Sequence, residues 1–454
     1  MRLTSNNNIH CVTWYTKRRI LAVLTAAVVL VGFLTVRVAA APPSGGQEQS
    51  RTHTIIPLGL PFANDINDSG VVVGSDLIPQ EDPNAYPLSR AYALIPLDAD
   101  SDGAPETWFV DDGSGGNALI TDLGTLAPDL SSSANAINRF GQIVGTATIG
   151  GYDEWGTTLF SAQRGILWTD GEMIELGTLG GKSSRATGIN SWGQVVGLSG
   201  VPELDARGNQ PVCVYVIDPL DADGNGSPDT WYLDEDEDGD NDLMRELSRG
   251  ASIPGSPQIN DNGTVAVPNW GGVIFAEDIT GDGKADVWFR DDNQDGSNDL
   301  FVDLPTLKGG SSVASAWASP ASVNSDGVIV GTSMNTAAIW TTSANGRLNI
   351  SALPDPKTPK GWRVDISNAN RINDAGQILG RVLISKESVG TEYRVCLWQN
   401  GSATLLDDLA VNPNALEHPN SFANAINNYG EVVGINDKSV AANEAFIAIL
   451  NARQ

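Results

Sequence analysis

The sequence has few cysteines, few histidines and little positive charge. Its 454 residues include 3 Cys and 3 His, too little material for zinc sites, a disulfide framework or histidine-based catalysis. Lys and Arg number 27 against 55 Asp and Glu, a net charge of −28, which disfavours nucleic acid as a partner because phosphates attract positive charge. Glycine (49) and proline (24) are abundant, which favours short strands joined by turns.

The N-terminus has the pattern of an export signal. Three basic residues at 17–19 precede an apolar run, Ile20 to Leu34, whose length suits a signal peptide and is short for a membrane span of about 20 residues. Small residues then allow cleavage after Ala40. We therefore expect a signal peptide at 1–40, a short linker at 41–53 and a secreted or cell-surface protein, extracellular or periplasmic in a bacterium. The alternative is an uncleaved anchor.

Most of the sequence consists of internal repeats. An Ile-Asn-x-x-Gly unit, followed by alternating apolar residues and usually a second Gly, occurs seven times. Each copy predicts a strand, a tight turn and a second strand, with the Gly in a left-handed conformation. An apolar string that ends in an aromatic residue follows several copies, so each unit offers about four strands. The Asn positions are Asn67, Asn138, Asn190, Asn260, Asn324, Asn373 and Asn427.

The spacing of the repeats indicates an all-β propeller. Successive Asn positions are 71, 52, 70, 64, 49 and 54 residues apart, and the three long gaps contain Asp-rich insertions at 98–112, 221–242 and 278–299. The basic unit of about 50 residues is typical of kelch-type blades. We predict a seven-bladed β-propeller over 54–450 with a tail at 451–454, closed by pairing of the terminal strands at 53–60 and 444–450. The alternative is an open repeat array.

The repeats resemble those of the bacterial extracellular HAF-repeat family. The resemblance rests on segments such as 174–200 and 423–450 and covers nearly all of the chain from about 54 to 450. It implies an exported repeat protein and brings neither an activity nor catalytic residues. Cys213 and Cys396 occupy equivalent positions in different repeats, so we expect buried free thiols.

The Asp-rich insertions have the spacing of cation loops. Oxygen-bearing residues at positions 1, 3 and 5, Gly at 6 and an acidic residue at 9 match the first half of an EF-hand loop, without its Glu at position 12. The doubled 13-residue spacing resembles the calcium repeats of thrombospondin type 3. An apolar pair that starts with Trp follows each first loop and predicts a short packed strand. The predicted metal ligands are Asp98, Asp100, Asp102, Glu106, Asp221, Asp223, Asn225, Asp229, Asp234, Asp236, Asp238, Asp242, Asp278, Thr280, Asp282, Asp286, Asp291, Asn293, Asp295 and Asp299.

Charge supports an ion in these loops. The insertions carry 23 acidic and 2 basic residues, so most of the net negative charge of the chain lies there. Two carboxylates about 4 Å apart repel by about 4 kcal/mol at an effective dielectric constant near 20. Oxygen ligands favour Ca²⁺ over Zn²⁺ and Mg²⁺, and we expect a structural role for it. The alternative is a set of solvated acidic loops without an ion.

No familiar catalytic motif is found, so we expect a protein that is not an enzyme. The leading hypothesis is a non-catalytic, calcium-stabilised binding or adhesion scaffold. Its partner would be an unknown protein or glycan, with no membrane span after signal cleavage and a monomeric chain. The alternatives are a carbohydrate-active hydrolase or lyase that uses loop carboxylates, and a structural component of the cell envelope. The candidates for a binding face are Trp155, Trp192, Trp270, Trp317 and Trp362.

Overall fold

The computed structural model describes residues 53–78, 88–101, 103–127, 130–152, 158–203, 210–249, 255–307, 318–409, 421–436 and 443–450. The predicted signal peptide (1–40), the linker up to residue 52, the tail (451–454) and the predicted ligand Asp102 lie outside these ranges. Within the described ranges, no helix is long and apolar enough to cross a bilayer.

The fold is the predicted seven-bladed β-propeller, and the described ranges are all-β except for one short helix, α1 (Leu406–Leu409). Each blade is a four-stranded antiparallel sheet. Blade 1 contains β2 (Phe62–Ile66), β3 (Val72–Ile78), β4 (Leu88–Leu94) and β5 (Ile120–Gly124). Blade 2 contains β6 (Ser132–Ile137), β7 (Ile143–Tyr152), β8 (Thr158–Thr169) and β9 (Glu172–Glu175). Blade 3 contains β10 (Ser184–Ile189), β11 (Val195–Gly200), β12 (Val212–Ile217) and β13 (Met244–Arg249).

Blade 4 contains β14 (Gln258–Ile259), β15 (Thr264–Val267), β16 (Gly272–Phe275) and β17 (Phe301–Asp303). Blade 5 contains β18 (Ala318–Val323), β19 (Ile329–Ser333), β20 (Thr336–Thr342) and β21 (Leu348–Ala352). Blade 6 contains β22 (Arg363–Ile372), β23 (Ile378–Lys386), β24 (Gly390–Gln399) and β25 (Ser402–Leu405). Blade 7 contains β26 (Ser421–Ile426), β27 (Val432–Asn436), β28 (Glu444–Leu450) and β1 (His53–Pro57). The first strand of each blade contacts the first strand of the next, and β26 contacts β2, so the blades form a ring.

The ring is closed by the two ends of the propeller. Strand β1 pairs antiparallel with β28, from His53 opposite Leu450 to Pro57 opposite Phe446. The N-terminal strand is therefore the outermost strand of blade 7, as predicted. This pairing covers a sheet edge that would otherwise expose unpaired main-chain groups.

A β-bulge in the innermost strand of six blades explains the second Gly of the repeat. In blade 2 the register skips Asn135, and the bulge brings the main chain close to Gly145 on the next strand. A β-carbon at Gly145 would collide with the carbonyl oxygen of Ser133. Blade 4 has Val267 at the equivalent position, and its inner strand, β14, pairs through only two residues. The skipped residues in the six blades are Asn64, Asn135, Thr187, Ala321, Asn370 and Asn424.

The core lies within and between the sheets. Trp340 and Trp398, at one repeat position, are buried and donate their indole N–H groups to main-chain oxygens of Pro305 (2.8 Å) and Pro354 (2.7 Å). Cys213 and Cys396 are both buried and form no disulfide, which confirms that prediction. Burial raises the pKa of Cys396 above its usual range.

Candidate functional site

The three acidic insertions occupy the same place in their blades. Each connects the third strand to the fourth, between β4 and β5, between β12 and β13, and between β16 and β17. A single antiparallel bridge closes the first loop of each insertion. The predicted packed strand is therefore reduced to an isolated bridge. Its position fixes the start and the end of the loop, which limits the conformations that the acidic residues adopt. The bridges are Leu97–Thr107, Leu220–Thr230 and Glu277–Val287.

The five predicted loops, named after their first residues Asp98, Asp221, Asp234, Asp278 and Asp291, share one hydrogen-bond pattern. The N–H of the Gly at position 6 donates to the carboxylate at position 1, at 2.7–3.1 Å. The N–H at position 2 donates to the carboxylate at position 9, at 2.6–3.1 Å. All five glycines at position 6 have φ between 82° and 89°, a region that favours glycine. The chain therefore wraps in the same way in each loop.

Three of the loops bring carboxylates together closely enough for a metal ion. One oxygen from each of three side chains lies within 4.8 Å of the other two. In the described part of the chain, the Asp278 and Asp291 loops do not gather three carboxylates in this way. Thr280 and Asn293 replace a carboxylate at position 3 of these two loops. The three clusters are Asp98, Asp100 and Glu106; Asp221, Asp223 and Asp229; and Asp234, Asp236 and Asp238.

Electrostatics in the insertions reflects crowded negative charge. Burial, and then the nearby carboxylates that include Asp238 and Asp234, raise the pKa of Asp240 above its usual range. Hydrogen bonds act in the opposite direction at Asp229, where the Thr230 hydroxyl and the N–H of Ala222 lower the pKa of the carboxyl. A bound cation would relieve the repulsion around Asp240.

A tryptophan anchors each insertion beneath the Ile-Asn-x-x-Gly turn of its own blade. The indole N–H of Trp108 donates to the Gly70 oxygen (2.9 Å), and that of Trp231 donates to the Gly193 oxygen (2.8 Å). Trp288 is equally buried, but its indole N–H has no hydrogen-bond partner among the described residues. The acidic loops therefore lie on the same face of the propeller as the turns.

Sequence reasoning missed a second anchor in each insertion. The amide nitrogen of Asn241 donates to the oxygens of Trp231 (2.9 Å) and Leu176 (2.8 Å), which ties the insertion to the preceding strands. Asn117 and Asn298 make the equivalent bonds in their blades. The signal for these residues is an Asn nine or ten positions after each insertion Trp.

The seven repeat asparagines form a closed ring around the propeller axis. In every copy the side-chain oxygen accepts a hydrogen bond from the N–H four residues later, which agrees with the predicted turn. The amide nitrogen of each Asn also donates to the main-chain oxygen of the equivalent Asn in the next blade, at 2.7–3.3 Å. One residue type therefore shapes each turn and joins it to its neighbour.

The residues that follow these asparagines surround a pocket of about 260 Å³, which we call the axial mouth. Asn428 connects two of its carboxylates, because its amide nitrogen contacts Asp68 Oδ2 (2.9 Å) and Asp374 Oδ2 (3.3 Å). Aliphatic residues that precede the asparagines, such as Ile66, also line the pocket. Besides the seven repeat asparagines, the polar residues of the mouth are Asp68, Arg139, Ser191, Asp261, Ser325, Asp374 and Asn428.

Three exposed aromatic side chains, the rim aromatics, stand on the same turns. Phe140, Trp192 and Tyr429 each lie two residues after a repeat Asn and are 65%, 39% and 45% exposed. The Trp192 indole donates to the oxygen of Asp261 (3.0 Å), a residue of the mouth. The Arg139 guanidinium, also at the mouth, lies 4.8 Å from the centre of the Phe140 ring.

Only one of the five tryptophans predicted for a binding face is exposed in the described ranges. That residue is Trp192. Trp270 and Trp362 instead pack against core clusters, because their positions place them against neighbouring strands. Trp155 and Trp317 lie outside the described residues.

A second cavity of about 430 Å³ lies further along the axis, lined by residues of the β-bulges and by Arg371. Burial raises the pKa of Asp65, whereas the charge of Arg371 opposes this rise. The amide nitrogens of Asn64 and Asn135 donate to oxygens of the next blade, both at 2.8 Å. This second layer of bonds between blades makes the inner cavity part of the scaffold.

No family model matches the chain, and no curated protein matches it. Among solved structures, the chain is similar to a puromycin-hydrolyzing peptidase of Mycobacterium tuberculosis (15% identity, TM-score 0.42, 87% of this chain and 53% of that one), so it spans about half the length of that peptidase. It is also similar to the β-propeller domain of the Trilobed protease from Pyrococcus furiosus (10%, 0.35, 70% and 80%) and to a Hadza microbial sialidase (10%, 0.34, 89% and 66%). At these identities the likeness extends to the fold alone.

These neighbours contradict the expectation that the chain is not an enzyme. A peptidase and a sialidase are enzymes, although both are distant from this chain. The expectation relied on missing sequence motifs, and it is wrong as a general exclusion because a propeller assembles site residues from loops that are far apart in the chain.

Proposed function

We propose that the chain is an exported propeller scaffold, stabilised by calcium ions in its Asp-rich loops, that binds a ligand on the face formed by the repeat turns. The observation that supports calcium is the geometry of the acidic clusters, in which oxygens of Asp221, Asp223 and Asp229 lie within 4.8 Å of one another. Carboxylate oxygens suit Ca²⁺, whereas Zn²⁺ favours N and S ligands and Mg²⁺ retains its waters. The N-terminal segment and the resemblance to HAF repeats support export.

The role proposed for calcium is structural. The Trp anchors connect the acidic loops to the turns, so an ion that orders a loop also supports the turn above it. Extracellular modules bind calcium with Kd of about 10⁻⁴–10⁻³ M, and at 100 times Kd one site stabilises the folded state by about 2.7 kcal/mol.

Thermal unfolding of the chain from Ala41 onward tests this proposal. We expect the unfolding midpoint to be higher in millimolar CaCl₂ than in EDTA, with a smaller change in MgCl₂. Equal midpoints in EDTA and CaCl₂ would overturn the calcium proposal, because an ion that binds only the folded state must raise its stability.

Hydrolysis of a glycosidic bond is a second candidate function, favoured by one observation. Asp68 and Asp374 both contact the amide nitrogen of Asn428, so the two contacting oxygens are at most about 6 Å apart, and retaining glycosidases have carboxyl groups about 5–5.5 Å apart. Release of reducing sugar from oligosaccharides, lost in Asp374→Asn, would support this candidate. Its absence over a broad substrate panel would count against it.

A further inference from the structure

We propose that the axial mouth binds a neutral glycan, with a sugar ring held between the rim aromatics and the polar residues of the mouth. This inference rests on the proposed binding function and names its ligand class. The carboxylates of the acidic loops take no part in it, although the Trp192 ring lies near Gly283 of one loop, so the effects of Phe140 and of the mouth residues test it separately from calcium.

The rim aromatics provide the apolar part of the site. Large aromatic side chains are normally buried, and five of the nine Trp residues in the described ranges are. Phe140, Trp192 and Tyr429 are instead exposed on three turns of one face. A sugar presents the C–H groups of its ring as an apolar face, and an exposed aromatic ring can pack against that face. Hydrogen bonds from their main-chain N–H groups to the repeat asparagines (3.0–3.1 Å) fix the backbone of all three residues.

The mouth provides the polar part of the site. Carboxylate oxygens accept hydrogen bonds from hydroxyl groups, and amide groups both donate and accept them. Asp68, Asn428 and Asp374 form a row of such groups within hydrogen-bond distance of one another. These residues are fixed by main-chain contacts as well, since the N–H groups of Asn428 and Asp374 donate to the neighbouring side chains at 2.9 and 2.8 Å. The row is therefore organised before a ligand arrives.

The size and charge of the pocket limit the class of ligand that it can bind. The pocket of about 260 Å³ is slightly smaller than the 300–1,000 Å³ typical of drug-sized ligands, which suits one sugar ring. Three aspartates and one arginine line the mouth, and the whole chain carries −28, so uronic acids and sulfated sugars would be repelled. A neutral hydroxyl-rich ring matches both features.

The test is a glycan array that carries neutral and acidic oligosaccharides, probed with the full chain in calcium, followed by titration calorimetry with the neutral glycan that gives the strongest signal. We expect binding of neutral glycans only. We expect Phe140→Ala, Trp192→Ala and Asp374→Asn each to weaken binding at least tenfold. Phe289→Ala is the matched control, because Phe289 is 44% exposed but lies in an acidic insertion, and this variant should bind as the unaltered chain does.

Three outcomes separate the possibilities. The inference would be overturned if the chain retained no glycan, or if Phe140→Ala, Trp192→Ala and Asp374→Asn left glycan binding unchanged. If the calcium shift persists while no glycan binds, this inference fails and the calcium proposal survives. If reducing sugar accumulates in the same samples and Asp374→Asn stops its release, the glycan site is supported and hydrolysis becomes its function.

Discussion

Asn427 and Asn67 are 360 residues apart in the chain, yet the amide nitrogen of Asn427 donates a 3.1 Å hydrogen bond to the main-chain oxygen of Asn67. This bond closes the ring of seven asparagines between the last blade and the first. Closure therefore occurs twice, at the axis through Asn427 and at the periphery through the pairing of β1 with β28. The two connections hold opposite edges of blade 7.

Asn427→Ala tests the contribution of the ring. The variant loses the bond to Asn67 and a 2.6 Å bond to Glu431, and it leaves buried polar groups without partners. Unsatisfied buried groups cost about 1–3 kcal/mol each, so we expect the free energy of unfolding to fall by about 3 kcal/mol in urea titrations. Asn349→Ala, at an exposed position of β21, is the control and should change it by less than about 0.5 kcal/mol. Equal effects of the two variants would contradict a stabilising role for the ring.

The insertion tryptophans offer a matched pair of variants. Trp231→Phe removes the indole N–H that binds the Gly193 oxygen, whereas Trp288→Phe removes an N–H without a partner in the described structure. Both changes remove similar apolar area. We therefore expect Trp231→Phe to destabilise the fold by about 1–3 kcal/mol more than Trp288→Phe, measured by the same urea titrations. The hydrogen bond to Gly193 would be unimportant if both variants unfolded at one midpoint.

The repeat pattern was sufficient to predict the propeller and its closure, because each turn is specified locally. Asn190 and Gly193 lie three residues apart and shape one turn, and the same motif occurs seven times in the sequence. The acidic loops were predicted for the same reason, since the predicted metal ligands of each loop lie within nine residues of chain.

Features that join different blades could not be read from one sequence. The second bond of Asn190, to the oxygen of Asn260, depends on where the next blade sits rather than on the local turn. The β-bulge lies within a blade, but it depends on how the first strand pairs with the second, which the turn sequence does not specify. Of the rim aromatics, Trp192 was predicted from the sequence for a binding face. Phe140 and Tyr429, which share the repeat position of Trp192, were missed, because a turn position alone does not show on which face a side chain emerges.

Carboxylate removal tests the ligands of one acidic loop. The double variant Asp221→Asn with Asp223→Asn removes two of the three carboxylates of that cluster. We expect the calcium-induced gain in stability to fall by the contribution of one site, about 2.7 kcal/mol at 100 times Kd, in thermal unfolding with and without EDTA. The control is Asp111→Asn with Asp112→Asn, which removes the same charge from the part of the first insertion where no site is predicted. If this control lost as much of the calcium-induced stability, the response would depend on the overall negative charge of the insertions and not on the geometry of the loop.

His53 makes the stability of the closing strand depend on pH. Its side chain is buried in β1 with no hydrogen-bond partner among the described residues, and burial lowers its pKa from 6.5 to about 4. The unfolded chain therefore binds a proton between pH 6.5 and pH 4 that the folded chain does not, so the contribution of His53 to stability decreases as pH falls through this range. One pKa unit corresponds to 1.36 kcal/mol, which predicts a loss of about 2 kcal/mol between pH 7 and pH 5. The variant His53→Leu keeps every carboxylate but removes the imidazole that takes up this proton. Urea titrations at pH 7 and pH 5 should therefore show a smaller loss of unfolding free energy in the variant than in the unaltered chain. Equal losses in the two proteins would mean that protonation of His53 does not contribute to the pH dependence of stability.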